Sequence, residues 1–192
     1  MVSVLQSRTG SLSKLLRVGP FTISHGDTKS DNFFFGSGVT PDCYTCDFQL
    51  STICNPARDV AYFFIVNLSP KDRREWMREL GSIYLEALSR NGVEGYTMGR
   101  LMSDLRTWVL WPLIMDIACG SDLLSFYEGL KVKEREGGVT EDDENRNLRN
   151  KTHRERLFAA LADFEAEQLV ATLKKDSISC LPFFGCCCCW WA

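Results

Sequence analysis

The chain has 192 residues, 45% of them apolar and 24% charged, with a formal net charge of -3. That length suits one domain, which would bury roughly 70% of its unfolded surface, and a second full domain does not fit. The balance of charge holds no dominant basic patch, which argues against a nucleic-acid partner, and the composition is that of an ordinary globular protein.

Nine cysteines divide into a scattered set, Cys43, Cys46, Cys54, Cys119 and Cys180, and a consecutive run from Cys186 to Cys189. Neither set has the spacing of a secreted disulfide framework. The start, Met1 to Arg8, lacks the run of about seven apolar residues that a secretory signal needs, so reduced thiols in the cytoplasm are expected. Before Asp27 there is no acidic residue. That stretch shares a Ser, Lys and Arg bias with organellar transit peptides, although it also reads as a helix.

Leu12, Leu15, Leu16 and Val18 recur at near-helical spacing, and Gly19-Pro20 stops the turn. Phe21 to Ser24 reads as a short strand, Gly26 to Asn32 as an exposed polar loop, and Phe33 to Phe35 as a buried strand. Gly36 to Asp42 is a turn, and Tyr44 to Cys46 returns as the second arm of a hairpin. With strands of about three residues rising roughly 3.3 Å each, such a hairpin brings Asn32 and Asp47 together.

From Pro56 the pattern turns helical. Asp59 falls near the positive end, and Val60, Ala61, Phe63, Phe64 and Val66 make the helix largely apolar. Ser69-Pro70 caps the next helix, with Trp76, Leu80, Ile83, Tyr84 and Leu88 as its apolar face and Asn91-Gly92 as its end. Thr97 to Cys119 is the most hydrophobic stretch. It is interrupted by Asp104, Arg106, Pro112 and Asp116, so it reads as a kinked core helix rather than a membrane span of about 20 apolar residues. Leu123 to Leu130 adds a further turn or two. Lys131 to Asn150 is charged and aperiodic, a surface loop by pattern, and Thr152 to Lys174 resumes helical spacing through Leu157, Ala160, Leu161, Phe164, Leu169 and Leu173.

Chemistry concentrates in His25-Gly26-Asp27 and Asn32, the order His-x-Asp-x-x-x-x-Asn that kinase-type phosphoryl-transfer enzymes use in a catalytic loop. Phosphoryl transfer needs a metal-bound nucleotide held in place and an acceptor hydroxyl aligned with it. Asp27 has the chemistry of a catalytic base. Asn32 and Asp47 offer an amide and a carboxylate oxygen, a donor pair that suits Mg2+ completed by water and ATP phosphate oxygens. His25 is placed to brace the loop.

His25-Gly-Asp27-x-x-x-x-Asn32, Asp47-Phe48-Gln49 and Pro56-Ala57-Arg58-Asp59-Val60-Ala61-Tyr62-Phe63 together resemble the aminoglycoside phosphotransferase and choline kinase-like superfamily. The Asp-Phe-Gln and Pro-Ala-x-Asp-x-x-Tyr-Phe strings are most similar to its ecdysteroid-kinase-like branch, from about Thr22 to Asn67. The resemblance implies an α+β, mostly α fold: a protein-kinase-like C-terminal lobe over residues 1–175, with a small hairpin carrying the catalytic and metal-binding loops. It also implies Asp27 as catalytic aspartate, Asn32 and Asp47 as metal ligands, and Asp59 as the residue that supports the catalytic loop. The implied cofactors are ATP and Mg2+, and the implied substrate is a small-molecule hydroxyl acceptor.

Two departures stand beside the match. The stretch before His25 has no Gly-rich strand pair and no nucleotide-binding lysine, so the N-terminal lobe is expected to be absent, supplied by a partner chain, or lost from an inactive kinase-like binding module. Thr28-Lys29-Ser30-Asp31 also replaces the hydrophobic or tryptophan-containing filling usual in the family.

Other residues carry blander readings. Trp108, Trp111 and Tyr127 fit core packing better than a cationic pocket. Asp104 and Asp116 are either exposed helix charges or selectors of a polar acceptor. His153 reads as a solvated histidine, and Cys43-x-x-Cys46 lacks a second pair at zinc spacing. The tail, 176–192, is expected to lack fixed structure. Its cysteines would reach a membrane only if acylated, would otherwise suit soft metals, or belong to a non-native end.

Overall fold

Alternating short apolar and polar runs build a small β region first and a helical body after it, in a computed structural model that describes residues 7–37, 43–118 and 141–174. Helix α1 (Thr9–Leu16) buries Leu12 and Leu16, one turn apart, against the body and ends before Gly19-Pro20. Strand β1 (Thr22–Ser24) follows. The expected hairpin is present: β2 (Phe33–Phe35) runs antiparallel to β3 (Cys43–Thr45), with Phe33 opposite Thr45 and Phe35 opposite Cys43. A second ladder, unannounced by the pattern, joins β1 to β4 (Thr52–Cys54), with Ser24 opposite Thr52. Single 3-10 turns at Ser30–Asn32 and Phe48–Leu50 flank the hairpin.

The Phe33 to Phe35 strand is not buried as expected. Phe34 and Phe35 are 58% and 78% exposed, on opposite faces of a two-stranded ribbon that no second layer covers at these positions among the described residues. Phe33 alone turns inward, edge-on to Phe63 with ring centroids 6.3 Å apart.

Helix α2 (Ala57–Asn67) is the centre of the body. Its Ala57, Ala61, Phe64 and Ile65 are buried at helical spacing, and it packs against α3 (Pro70–Arg90), α4 (Met98–Trp108), α5 (Leu110–Ala118) and α6 (Glu141–Asp163). The last helix among the described residues is α7 (Ala166–Thr172), which packs on α4 and α6. The Ser69 cap forms as expected, its hydroxyl accepting from the Asp72 amide at 3.1 Å, and Gly92 ends the helix at φ 81°.

On α3 the expected apolar face is partly displaced. Leu80 and Tyr84 pack on the core, but Trp76 and Ile83 are exposed. The face turns toward Arg73, which pairs with Asp163 of α6 at 2.6 Å, and toward Gly81, where a Cβ would meet Leu101 and Met98 side-chain atoms at 3.2 to 3.4 Å. A buried arginine and a glycine read as polar or neutral, and so shift the apparent stripe.

Between α4 and α5 the axis breaks at Val109 rather than at Pro112, which sits in the first turn of α5, where its missing N–H removes no helical bond. Trp108 and Trp111 are core, as the spacing suggests, with ring centroids 6.1 Å apart. Glu141 to Asn150, expected as loop, is helical and forms the start of α6. No Gly or Pro occurs in that stretch, so a polar helix is permitted there without an apolar stripe. Leu157, Ala160 and Leu161 of α6 and Phe164 just past its end are buried as the spacing implies, and a left-handed Glu165 at φ 51° separates α6 from α7. His153 is half-buried rather than solvated. Among the described residues no helix is long and apolar enough to cross a membrane. Tyr127, the Leu123 to Leu130 turn, Cys119, Cys180 and the tail lie outside them.

Asp104 corrects a further expectation. It is 7% exposed, neither a surface charge nor a free selector. Its carboxylate accepts from Asn55 Nδ2 at 3.1 Å and the Tyr96 hydroxyl at 2.9 Å, and pairs with Arg100 Nε at 3.0 Å. Arg100 reaches on to the Gly19 carbonyl at 2.8 Å, and Asn55 Oδ1 accepts from the Ala57 amide at 2.9 Å. One carboxylate thus ties the α1–β1 turn, the start of α2 and α4 together.

Removing it takes the acceptor from the half-buried Tyr96 hydroxyl and leaves Asn55 Nδ2 with only the longer bond to the Val18 carbonyl at 3.3 Å, so Asp104→Ala is expected to cost about 2 kcal/mol in a urea unfolding curve. Burial first, and then the hydrogen bond to Asp104, hold the Tyr96 hydroxyl above its usual pKa of 10.0. A raised folded-state pKa gives stability that is complete below the unfolded value and is lost as pH rises past it. Stability is therefore expected to fall above about pH 10, with a shallower fall in Tyr96→Phe, as denaturation at several alkaline pH values would register.

Candidate active site

Ser24 ends β1 and the chain turns at Gly26, whose φ is 90°. No side chain fits there: a Cβ would stand 2.3 Å from the Leu50 carbonyl oxygen. The turn is held from beneath by Asp59 in the first turn of α2. Asp59 Oδ1 accepts from Ser24 Oγ at 2.7 Å and from the Gly26 amide at 2.8 Å, and Oδ2 accepts from the His25 amide at 2.6 Å. The positive end of the α2 dipole favours the carboxylate at that position.

The same helix grips the next part of the loop. Thr28 Oγ1 donates to the Asp59 carbonyl at 2.8 Å, while Asn67 donates to the Thr28 carbonyl at 2.9 Å and accepts from the Ser30 amide at 2.6 Å. The loop is consequently not the exposed segment its polarity suggests. Asp27, Thr28 and Asn32 are 7%, 8% and 5% exposed, and each carries hydrogen bonds inside the fold.

His25 links the two loops. Its Nδ1 accepts from the Asp27 amide at 3.3 Å, which leaves Nε2 to donate to the Cys46 carbonyl at 2.8 Å, and its ring lies against Phe48 with centroids 4.7 Å apart. Asp27 Oδ2 accepts from Lys29 Nζ at 2.7 Å and from Asn32 Nδ2 at 3.1 Å. Asn32 Nδ2 also donates to the Asp27 carbonyl at 2.8 Å. With its amide nitrogen committed to Asp27, Asn32 has Oδ1 as its ligating end.

The hairpin brings Asp47 to the same place. Cys46 donates its amide to the Asn32 carbonyl at 3.1 Å, and Asp47 follows directly, exposed and left-handed at φ 65°. One amide oxygen and one carboxylate fit a magnesium ion that fills its shell with phosphate oxygens and water. Among the described residues no group of three or more His, Cys, Asp and Glu forms a self-sufficient metal site. Cys43 and Cys46 are free thiols.

Sequence reasoning missed Ser24, Asn67 and the ion pair of Lys29. Asn67 was discoverable, since Asp59, Phe63 and Asn67 recur every four residues and so share one face of α2. A cavity of about 220 Å³, lined by Leu15, Val18, Asn55, Asp104 and Trp108, lies at the Thr22–Cys54 end of the β1–β4 ladder, away from Asp27. It is not part of this cluster.

Residues 16–93 match the model of the ecdysteroid kinase-like family. The matched segment contains the loop, the hairpin, the Asp59 helix and all three motif strings from His25 to Phe63, and it bears out the resemblance those motifs carry. No curated protein and no solved structure matches the chain.

Gly26→Ala places a methyl group on a backbone oxygen in a strained conformation and is expected to cost about 2 kcal/mol or more by denaturant unfolding. Asp59→Asn loses the charge on three donors at once. Hydrogen exchange at the His25 and Gly26 amides is expected to quicken roughly tenfold or more, at about 1.4 kcal/mol per factor of ten.

Proposed function

We propose that residues 1–175 form the catalytic lobe of a small-molecule phosphotransferase that moves the γ-phosphate of ATP to an acceptor hydroxyl. One observation carries this: Asp27 has Asn32 bonded to its carboxylate, with Asp47 delivered beside them by the hairpin, all within the segment that matches the family. In this role Asp27 takes the acceptor's proton, Asn32 Oδ1 and Asp47 hold Mg2+ against the phosphates, and His25 and Asp59 keep the loop in place.

The outer β surface supports a further partner. Ile23 and Ile53 lie directly opposite each other and are 79% and 73% exposed, and Phe34 and Tyr44 repeat the arrangement on the hairpin. Such a patch marks an interaction surface. A nucleotide-gripping lobe seated there, from the same or another chain, would sit beside Asp47. The same surface favours a second reading, a noncatalytic kinase-like module that binds a partner.

Magnesium-dependent ATP binding and turnover by the full chain separate the two. On the first reading Asp47→Ala weakens nucleotide binding at least about tenfold, while Asp27→Asn keeps affinity and loses about 10²- to 10⁴-fold in turnover. Equal behaviour of the native chain and Asp47→Ala would leave only the binding module.

A further inference from the structure

Lys29 is the cation that the catalytic loop itself supplies. Its Nζ is 2.7 Å from Asp27 Oδ2, and its side chain is 36% exposed, so it rests on the carboxylate rather than being locked inside the fold. The hydrogen bond to Asp27 raises its pKa above the usual 10.5 despite some desolvation, and the charges of Asp27, Asp47 and Asp31 add to the effect. It remains an ammonium throughout the neutral range. Three carboxylates from two loops therefore share one field centred on this side chain.

That field is hostile to phosphate. A magnesium ion held by Asn32 and Asp47 offsets part of it, and the remaining negative charge lies on Asp27 and Asp31, where a phosphoryl group must approach. Lysine suits the remaining need, being a compact charge on a flexible stem with three rotatable donors. The ammonium is the exposed end of the pair, at 36% against 10% for the Asp27 side chain, and Asp27 Oδ2 keeps its bond from Asn32 Nδ2 at 3.1 Å when Lys29 leaves, so moving the ammonium is cheap.

We infer that Lys29 exchanges Asp27 for the phosphate: its ammonium swings onto the transferred phosphoryl oxygens and uncovers Asp27 Oδ2 for the acceptor. The inference rests on the phosphotransferase reading and adds a phosphate-binding residue to it. In the step itself the acceptor O–H gives its proton to Asp27 Oδ2 as its oxygen bonds to phosphorus. The bond from phosphorus to the β–γ bridging oxygen breaks, and its electron pair leaves on ADP. Lys29 balances charge on the phosphoryl oxygens throughout.

Calorimetric titration of the full chain with pyrophosphate and Mg2+, at two salt concentrations, tests it without any turnover. Lys29→Met is expected to weaken binding about tenfold and to flatten the salt dependence, Lys29→Arg to recover most of the affinity, and the unfolding midpoint of both to stay near that of the native chain. If Asp47→Ala weakens binding and Lys29→Met does not, Lys29 is no phosphate ligand and the phosphotransferase reading stands. If the native chain binds no pyrophosphate, or Asp47→Ala binds as the native chain does, both fall.

Discussion

The carboxylate of Asp59 is the contact on which the site depends. Three donors from consecutive residues, Ser24, His25 and Gly26, converge on it at 2.6 to 2.8 Å, and hydrogen bonds to a charged acceptor are each worth about 1.5–3 kcal/mol. Asp59 is itself fixed, because Ala57, Ala61, Phe64 and Ile65 of the same helix are embedded in the core. Rigidity passes from packed apolar side chains through one carboxylate to the loop that bears Asp27. A loop held this way keeps its geometry without burying apolar residues of its own, which leaves its remaining groups available for chemistry.

Buried charge recurs at the joints of the fold and is handled differently at each. Asp104 is met by donors from Arg100 of its own helix and from Asn55 and Tyr96 in the segments before α2 and α4, and Arg73 meets Asp163 across the α3–α6 contact. Arg58 has no carboxylate among the described residues. It lies 4.5 Å above the Trp111 ring, with the Cys54 sulfur 3.9 Å away as a hydrogen-bond partner, and among the described residues its Nε has none. The ring face supplies part of the stabilisation that an anion would otherwise give. Arg58 also packs behind Gly26, so the turn is held closely from two sides: by Asp59 through hydrogen bonds and by the guanidinium through contact.

The two halves of the candidate site differ in exposure, and the difference follows from topology. Asp27 and Asn32 lie on the inner side, where α2 supplies partners, while Asp47 stands at the rim of a two-stranded ribbon with nothing over it among the described residues. Asp27 is shielded and Asp47 is open. Ile23 and Ile53, paired across β1 and β4, and Phe34 and Tyr44, paired across β2 and β3, are likewise exposed.

Sequence alone determined the features that depend on neighbours in the chain. The cap at Ser69, the stop at Asn91-Gly92, the hairpin between Asn32 and Asp47 and the buried periodicity from Leu157 to Phe164 are local consequences of hydroxyls, glycine and spacing. The motif residues were legible for the same reason, since their order and separation are one-dimensional. Tertiary structure decided everything set by a distant partner: the β1–β4 ladder, the burial of the Asp27 loop, the phase of the α3 face set by Arg73 and Gly81, and the conversion of Asp104 into a buried junction. Polarity in a sequence is read as exposure. Whether a polar group lies in water or against a donor many positions away, as His25 lies against Asp59, is settled only when the chain closes on itself.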